Sequence, residues 1–273
     1  MSESSQPTDA SRSRALSLAS DALRRTPAGL LTDFDGTLST IALEPSGARL
    51  VDGAGDPLVR LAHRLTVVAI ITGRAALDAR RLIGIPGLLI AGNHGMEWLE
   101  AAAEAPEVSP DAASVPARLD EVLARVPDLP GVVPEHKTVS ASVHYRNASD
   151  PDAARAAILA AIGDVKADGL RIGHGRMIVE VRPVGLGDKG SAVRAIVDRF
   201  GLRGVVVMGD DLTDLDMFRA VDDLRASNGL RGAIVGVGGA DHEVAPEVLA
   251  AADVVLADPT DAARFLTELA DSL

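Results

Sequence analysis

The residues best suited to chemistry are carboxylates at the ends of apolar runs. Leu30-Leu31-Thr32 leads into Asp33-Phe34-Asp35-Gly36-Thr37-Leu38, two acids one residue apart followed by Gly-Thr. In open α/β sheets ligand sites lie beyond the carboxyl ends of strands, where a carboxylate can act as a nucleophile or hold a hard cation such as Mg²⁺. The second acid of such a pair can protonate a leaving group and later activate water. Taken alone, Asp-x-Asp before Gly36 equally fits an Asx-type turn. A second acidic cluster shifts the balance: Val205-Val206-Val207-Met208-Gly209 ends in Asp210-Asp211-Leu212-Thr213-Asp214. Asp214 or Thr213 can cap the helix that follows. Capping does not account for Asp210 and Asp211, like charges crowded at a strand end, which are better understood as a metal ligand and groups around it, because a bound cation removes their repulsion.

Two further strand ends offer phosphate-handling groups. Ile70-Ile71 runs into Thr72-Gly73-Arg74, where a hydroxyl and backbone N–H groups at a helix start suit an anion. Lys189 opens a helix after Gly185-Leu186-Gly187-Asp188. A lysine there opposes the helix dipole, which favours a binding role over a structural one. Gly187-Asp188-Lys189-Gly190 lacks the spacing of a nucleotide P-loop.

The elements that must position these groups alternate short apolar runs with helical stretches: Gly29 to Thr32, Leu58 to Arg64, Thr66 to Ile71, Ala75 to Ile83 and Leu88 to Ala91. The same grammar returns with helix Lys189 to Phe200, strand Gly204 to Met208, helix Asp214 to Val221, strands Ala233 to Val237 and Asp253 to Leu256, and helix Thr260 to Leu269. This predicts an α/β fold: two separated segments completing one Rossmann-like parallel sheet, covered on both faces. Between them prolines punctuate the chain, and Thr138 to Tyr145 alternates as a half-exposed strand. A helix from Pro151 to Ile162 and two strands around His174-Gly175 follow, together an inserted α+β cap over the sheet. The expected division is an N-terminal tail and amphipathic helix (1–26), a core (27–105 and 184–273) and a cap (106–183).

Composition narrows the function classes. The chain has 273 residues, of which 47% are hydrophobic, enough for a sizeable core. With 27 Lys and Arg against 39 Asp and Glu, the net charge of −12 argues against a nucleic-acid binder. No apolar run is long enough to span a membrane and no secretory signal is visible, so the protein is expected to be cytoplasmic. The Arg- and Ser-rich start weakly resembles a transit peptide, but Glu3, Asp9 and Asp21 speak against one. The absence of cysteine removes disulfides, thiolate metal sites and thiol nucleophiles.

In this order, Asp33-Phe34-Asp35-Gly36-Thr37, Thr72-Gly73-Arg74, Lys189 and Gly209-Asp210-Asp211 resemble the four motifs of the haloacid-dehalogenase-like phosphatases. The resemblance implies a phosphoaspartyl mechanism: Asp33 attacks phosphorus, Asp35 serves as general acid and then base, and Thr72 and Lys189 hold the phosphoryl group. It also implies that Asp33, the main-chain carbonyl of Asp35 and Asp210 bind Mg²⁺, with Asp211 and Asp214 around them. Only 36 residues separate Asp35 from Thr72 and 116 separate Thr72 from Lys189, so the cap is of the kind that members carry after the second motif.

Within that superfamily the chain resembles the trehalose-6-phosphate phosphatases over about residues 28 to 270. The matching pieces are Asp33 to Ile41, Gly92-Asn93-His94-Gly95, Glu135-His136-Lys137 with Val143-His144-Tyr145-Arg146, Val179 to Pro183 leading to Lys189-Gly190, and Gly209 to Phe218. By that likeness Glu135, Lys137, Arg146 and Glu180 contact a phosphorylated disaccharide, while Asn93, His94, Gly73 and Arg74 line the cleft. An unbroken strand from Glu135 to Arg146 puts Lys137 and Arg146 on opposite faces, so a shared site requires a break or bulge near Thr138. Alternatives are a related phosphatase for sucrose phosphate or a glycosyl phosphoglycerate, a phosphorylatable signalling receiver domain, and a silent sugar-phosphate binder. A receiver needs neither the second Asp nor a cap.

Overall fold

The computed structural model describes residues 9–40, 47–175, 177–238 and 244–273. The expected N-terminal tail up to residue 8, and Ile41 at the end of the first matching piece, lie outside them. In chain order the elements are α1 (Asp9–Leu23), β1 (Ala28–Thr32), α2 (Gly55–Arg64), β2 (Val67–Ile71), α3 (Ala76–Ile83), β3 (Leu89–Gly92) and β4 (Glu97–Leu99). Then follow β5 (Glu107–Val108), α4 (Val115–Leu123), β6 (Val133–Lys137), β7 (Ser140–His144), α5 (Pro151–Ile162), β8 (Leu170–Gly175) and β9 (Ile178–Pro183). The last group is α6 (Lys189–Phe200), β10 (Gly204–Gly209), α7 (Leu215–Asn228), β11 (Arg231–Val237), α8 (Pro246–Ala251), β12 (Val254–Leu256) and α9 (Pro259–Ser272). Two compact units result, one of Met1–Pro106 with Gly187–Leu273, the other of Glu107–Leu186.

The first unit is an α/β sandwich around a sheet ordered β12-β11-β10-β1-β2-β3-β4. All these pairs are parallel except β3 with β4. Every residue of β1, β2 and β10 is buried, as apolar runs covered on both faces must be. Alternate residues feed two cores: Leu30, Val206 and Met208 pack with α1, α2 and α9, whereas Leu31, Val205 and Val207 pack with α6 and α7. The N-terminal helix, set apart from the core on sequence grounds, is built into it: Ala15, Ala19, Ala22 and Leu23 are buried, and Arg12 bonds Asp261 and Glu268 of α9 at 2.7 and 2.9 Å. The chain order reverses between β1 and β10, and a crevice at such a switch point is where open α/β sheets place their ligands.

The second unit is a four-stranded antiparallel sheet, β6-β7-β9-β8, with α4 and α5 against one face. Ala141, Val143, Val179 and Val181 supply that apolar face. The alternating stretch expected from Thr138 to Tyr145 contains β7, and the break that a shared site required near Thr138 is present as a tight turn. The chain turns back at Thr138-Val139, with Lys137 paired to Ser140 and Thr138 at φ +40°. Among the described residues no helix is long and apolar enough to cross a membrane.

Candidate active site

Asp33 follows β1 directly, and its N–H donates to Met208 O on β10 (3.0 Å), so the strand pairing itself delivers it to the switch point. Asp210 follows β10, the neighbouring strand. The turn between Asp33 and Ser39 closes on Gly36, whose φ of +84° suits glycine and whose missing Cβ leaves room for the Asp210 carboxylate. Thr37 Oγ1 donates to Asp210 Oδ1 at 2.7 Å in a buried contact. The motif's threonine therefore orients the acid 173 residues away, a function that sequence reasoning missed.

Lys189 begins α6, where Asp188 caps the helix and forms a reciprocal pair with Ser191. The cap fixes the first turn, and the buried ammonium reaches Asp33 Oδ1 at 2.7 Å and Asp214 Oδ1 at 2.6 Å. Asp214 is wholly buried, and its other oxygen accepts from the N–H groups of Asp210 and Asp211. It thus ties Lys189 to the loop carrying Asp210, rather than capping α7 with its side chain. Asp211, grouped on sequence grounds with the residues around a cation, is exposed and pairs reciprocally with Asp214 across the single turn Leu212–Asp214.

Electrostatically the centre is overloaded with negative charge. Oxygens of Asp33, Asp210 and Asp214 all lie within 4.8 Å of one another. Burial above all, with Asp214 and Asp210 adding to it, raises the Asp33 carboxyl well above its ordinary range against the pull of Lys189. Burial works against the Lys189 ammonium too, yet the two carboxylates outweigh it and hold its pKa above the ordinary value. All these donors are hard oxygens, which suits Mg²⁺ rather than a softer metal.

Asp35 stands apart from that cluster. Its carboxylate is forked by Arg74, Nε to Oδ2 at 2.6 Å and an Nη to Oδ1 at 2.8 Å. Arg74 also bonds Asp78 at 3.1 Å and lies over the Phe34 ring. Arg74, assigned to substrate on sequence grounds, has the other acid of the first motif as its immediate partner. Thr72 is buried at the end of β2, and its hydroxyl accepts from the Arg74 N–H at 3.2 Å. Asn93 and His94 have positive φ, and their N–H groups donate to Arg74 O (2.7 Å) and Thr72 O (2.9 Å). The His94 ring packs against Gly73, where a Cβ would meet it at 2.9 Å. The helix start expected to be open to an anion is partly taken: the first N–H of α3, on Ala76, donates to Glu97 Oε2.

In the second unit, the register puts Glu135 and Glu180 in one row with Ser142 between them. Lys137 shares this face, 3.6 Å from Glu135, and His144 Nε2 pairs with Glu135 at 2.8 Å. Arg182 holds Glu180 at 2.7 Å. His144 and Arg182 are polar partners that the sequence reading did not assign. Arg146 is exposed, two residues past His144 at the end of β7 and at the opposite end of the hairpin from Lys137.

A family model described as trehalose-phosphatase matches residues 31–245. The trehalose-phosphate phosphatase of Mycobacterium avium (strain 104) is 37% identical over 271 residues, covering 96% of this chain, and the chain spans 66% of the length of that relative. Among solved structures, the C-terminal domain of the Candida albicans trehalose-6-phosphate phosphatase shares the fold with a TM-score of 0.67, 23% identity and 99% of each chain covered. The Aspergillus fumigatus trehalose-6-phosphate phosphatase matches with a TM-score of 0.61 and 25% identity, over 94% of this chain and 98% of that one. The family model and the Mycobacterium avium relative both match most of the chain, and the chain belongs to the trehalose-phosphatase family of haloacid-dehalogenase-like proteins.

Proposed function

We propose that this protein hydrolyses trehalose 6-phosphate to trehalose and phosphate by way of a phosphoaspartate on Asp33. The observation that carries the reading is the buried set of Asp33, Lys189, Asp214 and Asp210 at the switch point, with Asp35 two residues along. Three carboxylates face one ammonium there, a surplus of negative charge that a hard cation relieves. Asp33 and Asp210, with the main-chain carbonyl of Asp35, are the groups we assign to Mg²⁺. When bound, the ion supplies charge neutralisation that lets a dianionic phosphate approach these acids.

In this mechanism a carboxylate oxygen of Asp33 forms a bond to phosphorus as the bond from phosphorus to the sugar oxygen breaks. Asp35 gives its proton to the departing oxygen, then takes one from the water that hydrolyses the acyl phosphate. Lys189 and Thr72 stabilise charge on the phosphoryl oxygens. Asp214 keeps the Lys189 ammonium in place. Glu135, Lys137 and Glu180 are assigned to the sugar hydroxyls; Arg146 enters only on the family likeness.

A phosphate-release screen over trehalose 6-phosphate, sucrose 6-phosphate, glucose 6-phosphate and mannosyl phosphoglycerate, each with and without chelator, tests the proposal. The expected outcome is metal-dependent release, fastest from trehalose 6-phosphate. Faster release from another sugar phosphate overturns the substrate, and stable phosphorylation without turnover overturns the hydrolase.

A further inference from the structure

We propose that Glu97 is a positioning residue for the phosphate-handling loop Thr72-Gly73-Arg74, held through the first N–H of α3. The assignment rests on the phosphatase reading above for what the loop does, and on geometry for how it is held.

The first N–H groups of a helix have no partner within it. At α3 the N-cap residue is Ala75, which makes no side-chain cap. The acceptor comes instead from β4: Glu97, wholly buried, bonds the N–H of Ala76 through Oε2 at 2.8 Å. Glu97 pairs with Gly92 across the antiparallel β3-β4 ladder. A Cβ on Gly92 would stand 2.5 Å from Ala76 N, so this glycine permits the close approach. The segment between β2 and α3 is therefore fastened from one side at three points: the N–H groups of His94 and Asn93 on the carbonyls of Thr72 and Arg74, and Glu97 on the N–H of Ala76.

The other carboxylate oxygen, Oε1, is buried and has no hydrogen-bond partner among the described residues. Burying a carboxylate for one bond is unfavourable if the side chain only fills space. It is understandable if that bond fixes the entry into α3, because a negative group at a helix N-terminus is stabilised by the helix field. With that N–H engaged, the entry into α3 is fixed. The loop is then left to offer the Thr72 hydroxyl and its own backbone in a fixed geometry, and small displacements of such groups are expensive in rate.

The test uses the whole chain with inorganic phosphate as the probe. Glu97→Leu keeps much of the volume but no acceptor, Glu97→Asp keeps the charge but shortens its reach, and Glu97→Gln retains an oxygen for Ala76. The Leu and Asp variants are expected to raise the inhibition constant of phosphate about tenfold and to lower kcat for an aryl phosphate at least as much, because displaced groups cost rate. Amide exchange at Ala76 should quicken in both while the strands keep their protection. Gln should stay within about threefold of the parent on all readouts. Parental phosphate inhibition in a folded Leu or Asp variant, or an equal defect in Gln, overturns the assignment. If Leu does not fold, Asp carries the test. A parent that releases no phosphate from any ester overturns the phosphatase reading instead, and exchange at Ala76 still decides whether Glu97 holds the helix.

Discussion

Asp35 presents both carboxylate oxygens to the guanidinium of Arg74, at 2.6 and 2.8 Å, so the proposed proton donor and the arginine of the second motif form one fork. Such a planar pair fixes direction as well as distance, which a lysine cannot reproduce. Asp35→Asn is expected to cripple turnover most severely for poor leaving groups, because protonation matters least when the departing oxygen is already stable. Arg74→Lys should show the same pattern more weakly. The ratio of kcat on trehalose 6-phosphate to kcat on an aryl phosphate measures this; equal losses on both substrates speak against the acid role.

Asp33→Asn should abolish turnover, by at least about 10³-fold, while leaving a folded protein, because an amide fills the same volume but is a poor nucleophile. It also carries a stability prediction with a definite sign. Burial, aided by Asp214 and Asp210, raises the Asp33 carboxyl. The metal-free native state therefore holds this proton longer than the unfolded chain does. Stability from this group is present below the ordinary carboxylate range and is lost as pH rises through the elevated value. In chelator, the Tm of Asp33→Asn minus that of the parent should grow from pH 5 to pH 8. A gap that shrinks over this range contradicts the assignment.

Thr37 donates its hydroxyl to Asp210, a proposed cation ligand, so that hydroxyl is expected to tune cation affinity. Activity should vanish with chelator and return with Mg²⁺. Thr37→Val should raise the Mg²⁺ needed for half activity roughly 10- to 100-fold, the range typical of groups that orient a ligand. Asp210→Asn should raise it further. Thermal unfolding against Mg²⁺ concentration gives the same order without relying on catalysis, since a bound ion stabilises only the folded state.

The parts of this site that were legible in the sequence are those encoded locally. Apolar runs such as Val205 to Met208 mark buried parallel strands, and the acids that follow them must emerge at the sheet's carboxyl edge. Pairings across the chain carry no local mark. Nothing near Lys189 announces Asp214 as its partner 25 residues on, and nothing near Ala76 announces Glu97. The three-residue β4 is too short to show a period. The hairpin at Thr138-Val139 contains neither Gly nor Asn, the residues that usually signal a positive φ, so it reads as continuous alternation. A shared site for Lys137 and Arg146 required a break near Thr138; the turn is that break, and it places the two residues at opposite ends of the hairpin.

The register of the second unit turns the sugar assignment into graded expectations. Glu135 and Glu180 flank Ser142 in one row, and Lys137 lies on the same face beside Glu135. Together they offer donors and acceptors of the kind that read sugar hydroxyls, and a site built to bond a hydroxyl discriminates strongly against analogues lacking it. Glu180→Ala and Lys137→Ala are each expected to cut kcat/KM for trehalose 6-phosphate roughly 10- to 1000-fold, a loss of about 1.4–4 kcal/mol of transition-state binding. Hydrolysis of an aryl phosphate, which has no sugar hydroxyls, should change little. Arg146→Ala should cost less than either, because Arg146 stands exposed beyond the end of β7, outside the paired register of the row. If Arg146→Ala proves the most damaging, the row is not the sugar site. If both substrates suffer equally from Glu180→Ala, that residue supports the sheet instead of reading the sugar. If none of the three changes matters for trehalose 6-phosphate, the substrate assignment fails while the chemistry at Asp33 stands.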